Sequence, residues 1–182
     1  LTGLYNRQGF SEEIESLINK VEIDKQTVEV SILYADLDNF KYYNDTFGHD
    51  IGDFILVQFA ELLKKISGSN GYVVRYGGDE FLVVIHSVDR NVIEGAAKEI
   101  YNILREERGF LDKISKLLGK DVFIPEEKYV SCSIGISGVV VTPEESPREK
   151  ISDTIKRADE MMYHIKKTVK HRYVFFDDVH KE

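Results

Sequence analysis

The sequence holds 182 residues, 42% hydrophobic and 31% charged, with a net charge of −8. That is enough chain for one core of ordinary size, and it is too apolar for a disordered segment. The acidic balance argues against non-specific binding to nucleic acids or membranes, since no long basic stripe exists to neutralise phosphates, but it leaves a nucleotide open to a metal and a few lysines.

Leu1 to Arg7 reads as a glycine-containing turn into a first helix, on which Phe10, Ile14, Leu17, Ile18 and Val21 recur at helical spacing. Val28 to Leu37 is apolar at nearly every position from Ile32 to Ala35, the mark of a buried central strand, and it closes in Asp36-Leu37-Asp38. A short helix over 39–45 and a turn over 47–53 follow. From Phe54 to Ile66 the apolar positions crowd almost all round, so this helix is well buried. A loop over 67–71 leads to Val73–Ile85, where two β-branched runs flank Gly77-Gly78-Asp79-Glu80. This predicts a β-hairpin with two carboxylates at its tip. Glycine at both turn positions removes the barrier to positive φ and lets a bulky ligand approach the main chain.

A third helix shows Val92, Ile93, Ala96, Ala97, Ile100, Ile103 and Leu104 on one face. Over 106–128, Phe110, Leu111, Ile114, Leu117 and Leu118 suggest an extra amphipathic helix, then a loop through Pro125. Tyr129–Val141 is a strand interrupted by Gly135 and Gly138. It contains Cys132, which as the single cysteine has no internal partner and points to a reducing, cytoplasmic location. The helix from Lys150 to Lys167 turns Ile151, Ile155, Ala158, Met161, Met162 and Ile165 inward, and Arg172–Phe176 is a last strand. No repeat or linker divides the chain, so one α/β domain over 1–182 is expected. There is neither a signal peptide nor an apolar run of about 18 residues, so no membrane contact is expected from this stretch. The chain opens on Leu1 without a methionine, so we expect a piece of a longer protein that could itself be membrane-anchored.

An open sheet covered by helices gathers ligands at its strand ends. Asp36 and Asp38 end one strand, while Asp79 and Glu80 tip a hairpin able to lie beside it. Two such carboxylates about 4 Å apart repel by roughly 4 kcal/mol at an effective dielectric near 20. A hard divalent cation relieves that repulsion, and an all-oxygen ligand set with phosphate partners suits Mg²⁺. The competing reading, unrelated surface acids, accounts less well for two clusters at strand ends.

Gly77 to Phe81 spells Gly-Gly-Asp-Glu-Phe, and here the chain resembles the GGDEF domains, the diguanylate cyclases. The resemblance extends to the opening Leu1-Thr2-Gly3-Leu4-Tyr5-Asn6-Arg7, to the segment from Asp36 to Asp53, to Ser133-Ile134-Gly135-Ile136-Ser137 and to Arg157-Ala158-Asp159, so it covers nearly the whole chain. It implies a mainly antiparallel five-stranded sheet covered by helices (α/β, or α+β), similar to the nucleotidyl cyclase and polymerase palm fold, with 106–128 as an insertion. It implies condensation of two GTP into cyclic di-GMP with release of two pyrophosphates, by a Mg²⁺-dependent homodimer of half-sites under an upstream sensor domain, with Mn²⁺ as a substitute ion. Carried over position by position, Asp36, Asp79, Glu80 and the carbonyl of Leu37 hold the metal. Asp79 receives the 3′-hydroxyl proton, with Glu80 as its companion. Asn44 and Asp53 read the guanine edge, His49 stands beside it, and Lys41 and Lys166 meet the phosphates. Gly77 and Gly78 form the turn the phosphates approach, while Tyr76 and Phe40 read as packing residues.

Two departures stand out. The stretch Gly68-Ser69-Asn70-Gly71 lacks both the arginine and the aspartate of the Arg-x-x-Asp inhibitory motif found in many members, so no such site is expected. Val169-Lys170-His171 stands where a Gly-Arg-Asn usually follows the last helix, so Lys170 replaces a forked donor by a point charge. The alternative reading is a non-catalytic GTP-binding or protein-interaction module on the same fold.

Overall fold

The computed structural model describes residues 1–180. Helix α1 (Arg7–Glu22) starts where Asn6 accepts a hydrogen bond from the Gly9 amide at 2.9 Å, which satisfies a first-turn donor. Strand β1 (Val28–Asp38) is followed by α2 (Phe40–Phe47) and α3 (His49–Ser67), then by the hairpin β2 (Gly71–Arg75) and β3 (Glu80–Ile85). Next come α4 (Arg90–Glu106), α5 (Leu111–Leu118), β4 (Ser131–Val141), α6 (Pro147–Thr168), β5 (Tyr173–Phe175) and α7 (Phe176–Val179).

The five strands form one sheet in the order β2-β3-β1-β4-β5. All neighbours run antiparallel except β4 and β5, which are parallel. The expected mainly antiparallel sheet covered by helices is therefore what the chain forms. Strand β1 lies in the middle, and its side chains alternate between two cores. Leu33, Ala35 and Leu37 join Phe59, Phe81, Ile100 and Ile134 under α2, α3 and α4. Val30, Ile32 and Tyr34 join Leu17, Ile18, Leu82 and Met162 under α1 and α6. Helix α6 lies directly on β4. A Cβ built on Gly135 would stand 1.9 Å from the Ala158 carbonyl oxygen, so only glycine permits this approach, which sets where the end of α6 meets β1.

The structure corrects three boundaries. The turn expected over 47–53 shrinks to Gly48, whose φ of 88° lets α2 end and α3 begin at once, so His49 to Asp53 are already helical. Helix α6 begins at Pro147 rather than Lys150, with proline in the first turn, where its missing amide costs nothing. The last strand stops at Phe175 and gives way to α7. The opening segment is stitched to the hairpin: the Arg75 amide donates to the Tyr5 carbonyl at 2.9 Å, and Arg7 Nε donates to the Tyr76 carbonyl at 2.7 Å. Tyr76 also packs edge-on against Phe10 and Tyr34. In the 106–128 segment, Phe110, Leu111, Ile114 and Ile124 are buried in the core under α2–α4.

Candidate active site

Asp36 and Asp38 lie at the end of β1 on the face covered by α6, because alternate strand residues share a face. They are only 4% and 1% exposed, so neither belongs to a solvated acidic surface. A buried carboxylate must find partners, and the two find different ones. The Ser133 hydroxyl donates to both Asp38 oxygens at 3.0 Å, and the His171 amide donates to Oδ2 at 3.2 Å. Asp38 thus ties β1 to β4 and to the segment before β5. Asp36 instead meets the ammonium of Lys166 from α6.

Burial pushes the Asp36 carboxyl up to about 6; the Lys166 hydrogen bond opposes this, and the nearby Asp79 charge adds to it. Asp36 is therefore a carboxylate that carries its charge at a cost. Asp79 reaches it through the hairpin turn, where the Leu37 amide donates to the Asp79 carbonyl at 3.1 Å. In an antiparallel strand the amide and carbonyl of one residue point to the same edge, so the Leu37 carbonyl also faces the hairpin. Glu80 is the residue directly opposite Asp36 in the pairing register. Its Oε2 folds back over its own turn, where a Cβ on Gly77 would come within 2.7 Å.

The turn glycines act differently from expectation. The glycines with positive φ among the described residues are Gly3, Gly48, Gly68, Gly109 and Gly119, so neither Gly77 nor Gly78 uses that freedom. Gly77 makes room for Glu80, and a Cβ on Gly78 would meet nothing within 4 Å. The space beside Gly78 is open to a ligand, while the Arg75 guanidinium holds the Gly78 carbonyl at 2.8 and 3.1 Å.

The expected base-reading residues sit together on α2 and α3. The Asn44 carboxamide rests against Gly52, whose added Cβ would stand 1.9 Å from Asn44 Oδ1. Asp53 is the next residue along α3 and is exposed, as is His49 at the helix start. Lys41 is exposed and pairs with Asp45 at 2.8 Å. Lys166 touches Asp36 and Lys170 is exposed beyond α6. The segment 68–71 folds as a 3₁₀ turn leading into β2. One residue the sequence reading passed over is Asn39. It has φ of 65° at the junction of β1 and α2, and its side chain bonds residues some ninety positions away. An asparagine immediately before a helix is the only local signal of it.

Among the described residues no group of three or more His, Cys, Asp or Glu side chains is gathered to hold a metal ion. Buried Asp36, with the Asp79 charge near it and the Leu37 carbonyl expected on the same edge, is nevertheless a partial all-oxygen donor set. Such a partial set fits Mg²⁺, which keeps waters and takes further oxygens from substrate phosphates rather than from an all-protein cage. No helix of the described chain is long and apolar enough to cross a membrane.

Comparison with known proteins gives the family and the fold. The family model described as "Diguanylate cyclase, GGDEF domain" matches residues 1–172. The diguanylate cyclase DgcN of Escherichia coli (strain K12) is 38% identical over 107 residues, which are 57% of this chain and 26% of that protein. The probable diguanylate cyclase DgcF of the same strain is 34% identical over 138 residues, 75% of this chain and 38% of that protein. The chain thus spans well under half the length of these curated relatives. In fold it is similar to the coiled coil and GGDEF domain of DgcB from Caulobacter crescentus, solved in complex with c-di-GMP. That match has a TM-score of 0.69 at 22% identity and covers 96% of this chain and 82% of that one. With the family model spanning residues 1–172 and the Gly77–Phe81 turn set beside a buried, charge-strained Asp36, this chain belongs to the diguanylate cyclase GGDEF domain family.

Proposed function

We propose that the chain is a catalytically competent diguanylate cyclase domain that joins two GTP molecules into cyclic di-GMP and releases two pyrophosphates. The observation that carries this reading is Asp36, a buried carboxylate raised to about 6 with Asp79 beside it, at the strand end that leads into Asn44 and Asp53. A protein that used this strand end only for packing would gain stability from a neutral residue there.

When bound, a Mg²⁺ ion neutralises phosphate charge and polarises the α-phosphate. Asp36, Asp79 and the Leu37 carbonyl would hold it. Asn44 and Asp53 orient the guanine, the carboxylate accepting from its N1–H and amino donors. Asp79 takes the proton of the 3′-hydroxyl as that oxygen attacks the α-phosphorus of the second nucleotide. Lys166 and Lys170 balance the phosphate charge, Lys166 by turning from Asp36 to the nucleotide. Most of the work is positioning.

Incubating the protein with GTP and Mg²⁺ and separating the nucleotides by chromatography tests the reading, with Asp79→Asn as the control. Cyclic di-GMP from the wild type and none from the variant is the expected result. A wild type that binds GTP without making product would establish the non-catalytic module instead.

Gly52→Ala tests the base site separately. The added methyl overlaps Asn44 Oδ1, the end of a side chain able to turn away, while alanine improves the helix by up to about 1 kcal/mol. Stability should hold or rise, yet GTP affinity should fall by roughly 1–3 kcal/mol as a buried hydrogen bond is lost. ATP affinity should change far less. Calorimetry showing unaltered GTP affinity would remove Asn44 from the base site.

A further inference from the structure

Helix α2 carries Asn44, so its placement relative to Asp36 sets the distance between the base-reading and metal-holding ends of the site. The only covalent link between them is the turn Leu37-Asp38-Asn39-Phe40. Asn39 occupies the left-handed region, with φ of 65° and ψ of 6°, which reverses the chain from β1 into α2. Asparagine tolerates that region better than most residues, but it remains a strained choice unless something holds it. The side chain stands at the position where it could cap α2, yet it makes no capping bond. Its Nδ2 instead donates to two main-chain carbonyls, Glu127 at 3.1 Å and Tyr129 at 2.9 Å.

A second contact runs between the same two segments. Lys128 Nζ lies 5.8 Å from the centre of the Tyr42 ring, one turn into α2. The segment 127–129 is itself anchored on both sides by Ile124 and Val130, which are 2% and 1% exposed in the core. Glu127 and Tyr129 also line an open cleft of about 850 Å³ together with Tyr101, Arg105, Arg108 and His171. Helix α2 packs on α3 and buries Tyr43 in the core, and the Asn39 carboxamide adds to this a tie from the start of α2 to the anchored 127–129 segment.

We propose that Asn39 is a positioning residue for the nucleotide site: its carboxamide, held by the Glu127 and Tyr129 carbonyls, locks α2 and hence Asn44 in register with Asp36. The end of the 106–128 insertion then belongs to the scaffold of the site. The proposal rests on the reading of Asn44 as a nucleotide contact.

Three proteins test it: wild type, Asn39→Gly and Asn39→His. Glycine keeps the left-handed backbone and deletes the donor, so the fold should survive, with a melting temperature within a few degrees of wild type. Histidine also tolerates this backbone and returns one N–H donor at similar reach. For Asn39→Gly we expect the KM for GTP to rise about tenfold with kcat changed less than threefold, and amide hydrogen exchange in α2 and in 126–131 to quicken together. Asn39→His should recover at least half of both effects. An Asn39→Gly protein with wild-type KM overturns the proposal, and so does a loss of KM and stability together without recovery in Asn39→His. If the wild type makes no product, the cyclase reading fails and GTP affinity by calorimetry replaces KM. The Asn39 proposal then stands or falls on that affinity and on the exchange of α2.

Discussion

Replacing Asp36 by asparagine is expected to abolish cyclic di-GMP formation while raising the melting temperature near neutral pH. Loss of a charge that stabilises the transferring phosphate costs about 10²–10³-fold or more in turnover. The stability effect follows from the ionisation. Asp36 has a side chain only 6% exposed, and its carboxyl is raised from 3.8 to about 6. The folded protein therefore holds the proton more tightly than the unfolded chain, and ionised Asp36 works against folding. The cost is absent below pH 3.8, grows as pH rises to about 6, and is complete above it. A difference of that size corresponds to about 3 kcal/mol. Part of it is returned, because Lys166 loses its partner and the new carboxamide must place its donors. For a domain of this size a net rise of roughly 5 °C remains at pH 8, shrinking toward zero near pH 4. Melting curves of both proteins across that range check it. An Asp36→Asn protein that melts below wild type at pH 8, or that still turns over, would show that the carboxylate is kept for packing.

Dilution is expected to suppress the rate far more than in proportion. The described chain carries one set of the proposed metal-holding and base-reading residues, whereas the proposed product needs two nucleotides, each presenting a hydroxyl to the other. Two copies related by a twofold axis meet that need. With GTP saturating and protein dilute, the rate should scale with the square of protein concentration, so a hundredfold dilution lowers it about 10⁴-fold. Fusing a parallel coiled coil ahead of Leu1 should restore activity per molecule, since a short flexible tether supplies an effective concentration of about millimolar. A rate linear in protein from nanomolar to micromolar, from a species that sedimentation shows to be monomeric, sinks the two-half-site mechanism.

Much of this molecule could be read along the chain, because the signals are local. Continuous apolar character marked β1 as the buried centre of the sheet, and paired β-branched runs marked the hairpin. The period of apolar residues placed α1, α4, α5 and α6 within a few positions. The Gly77–Phe81 signature carried the family. Of the boundaries that moved, the largest shift rests on one backbone angle: φ of 88° at Gly48 turns what reads as a long turn into a single residue between two helices.

The division of labour within the site was decided by tertiary structure. Asp36 and Asp38 are the same residue type, two positions apart on one face of one strand, and nothing local separates them. Their neighbours do, and these arrive from about 95 to 135 positions away: Ser133 and His171 tie down Asp38, whereas Lys166 meets Asp36. The open space at Gly78, the contact of Asn44 with Gly52, and the bonds from Asn39 to 127 and 129 have the same origin. Periodicity tells a segment which face to bury. Which carboxylate is tied down by neutral donors, and which is left strained against a single ammonium, depends on the crossing of elements that meet only once the sheet has closed.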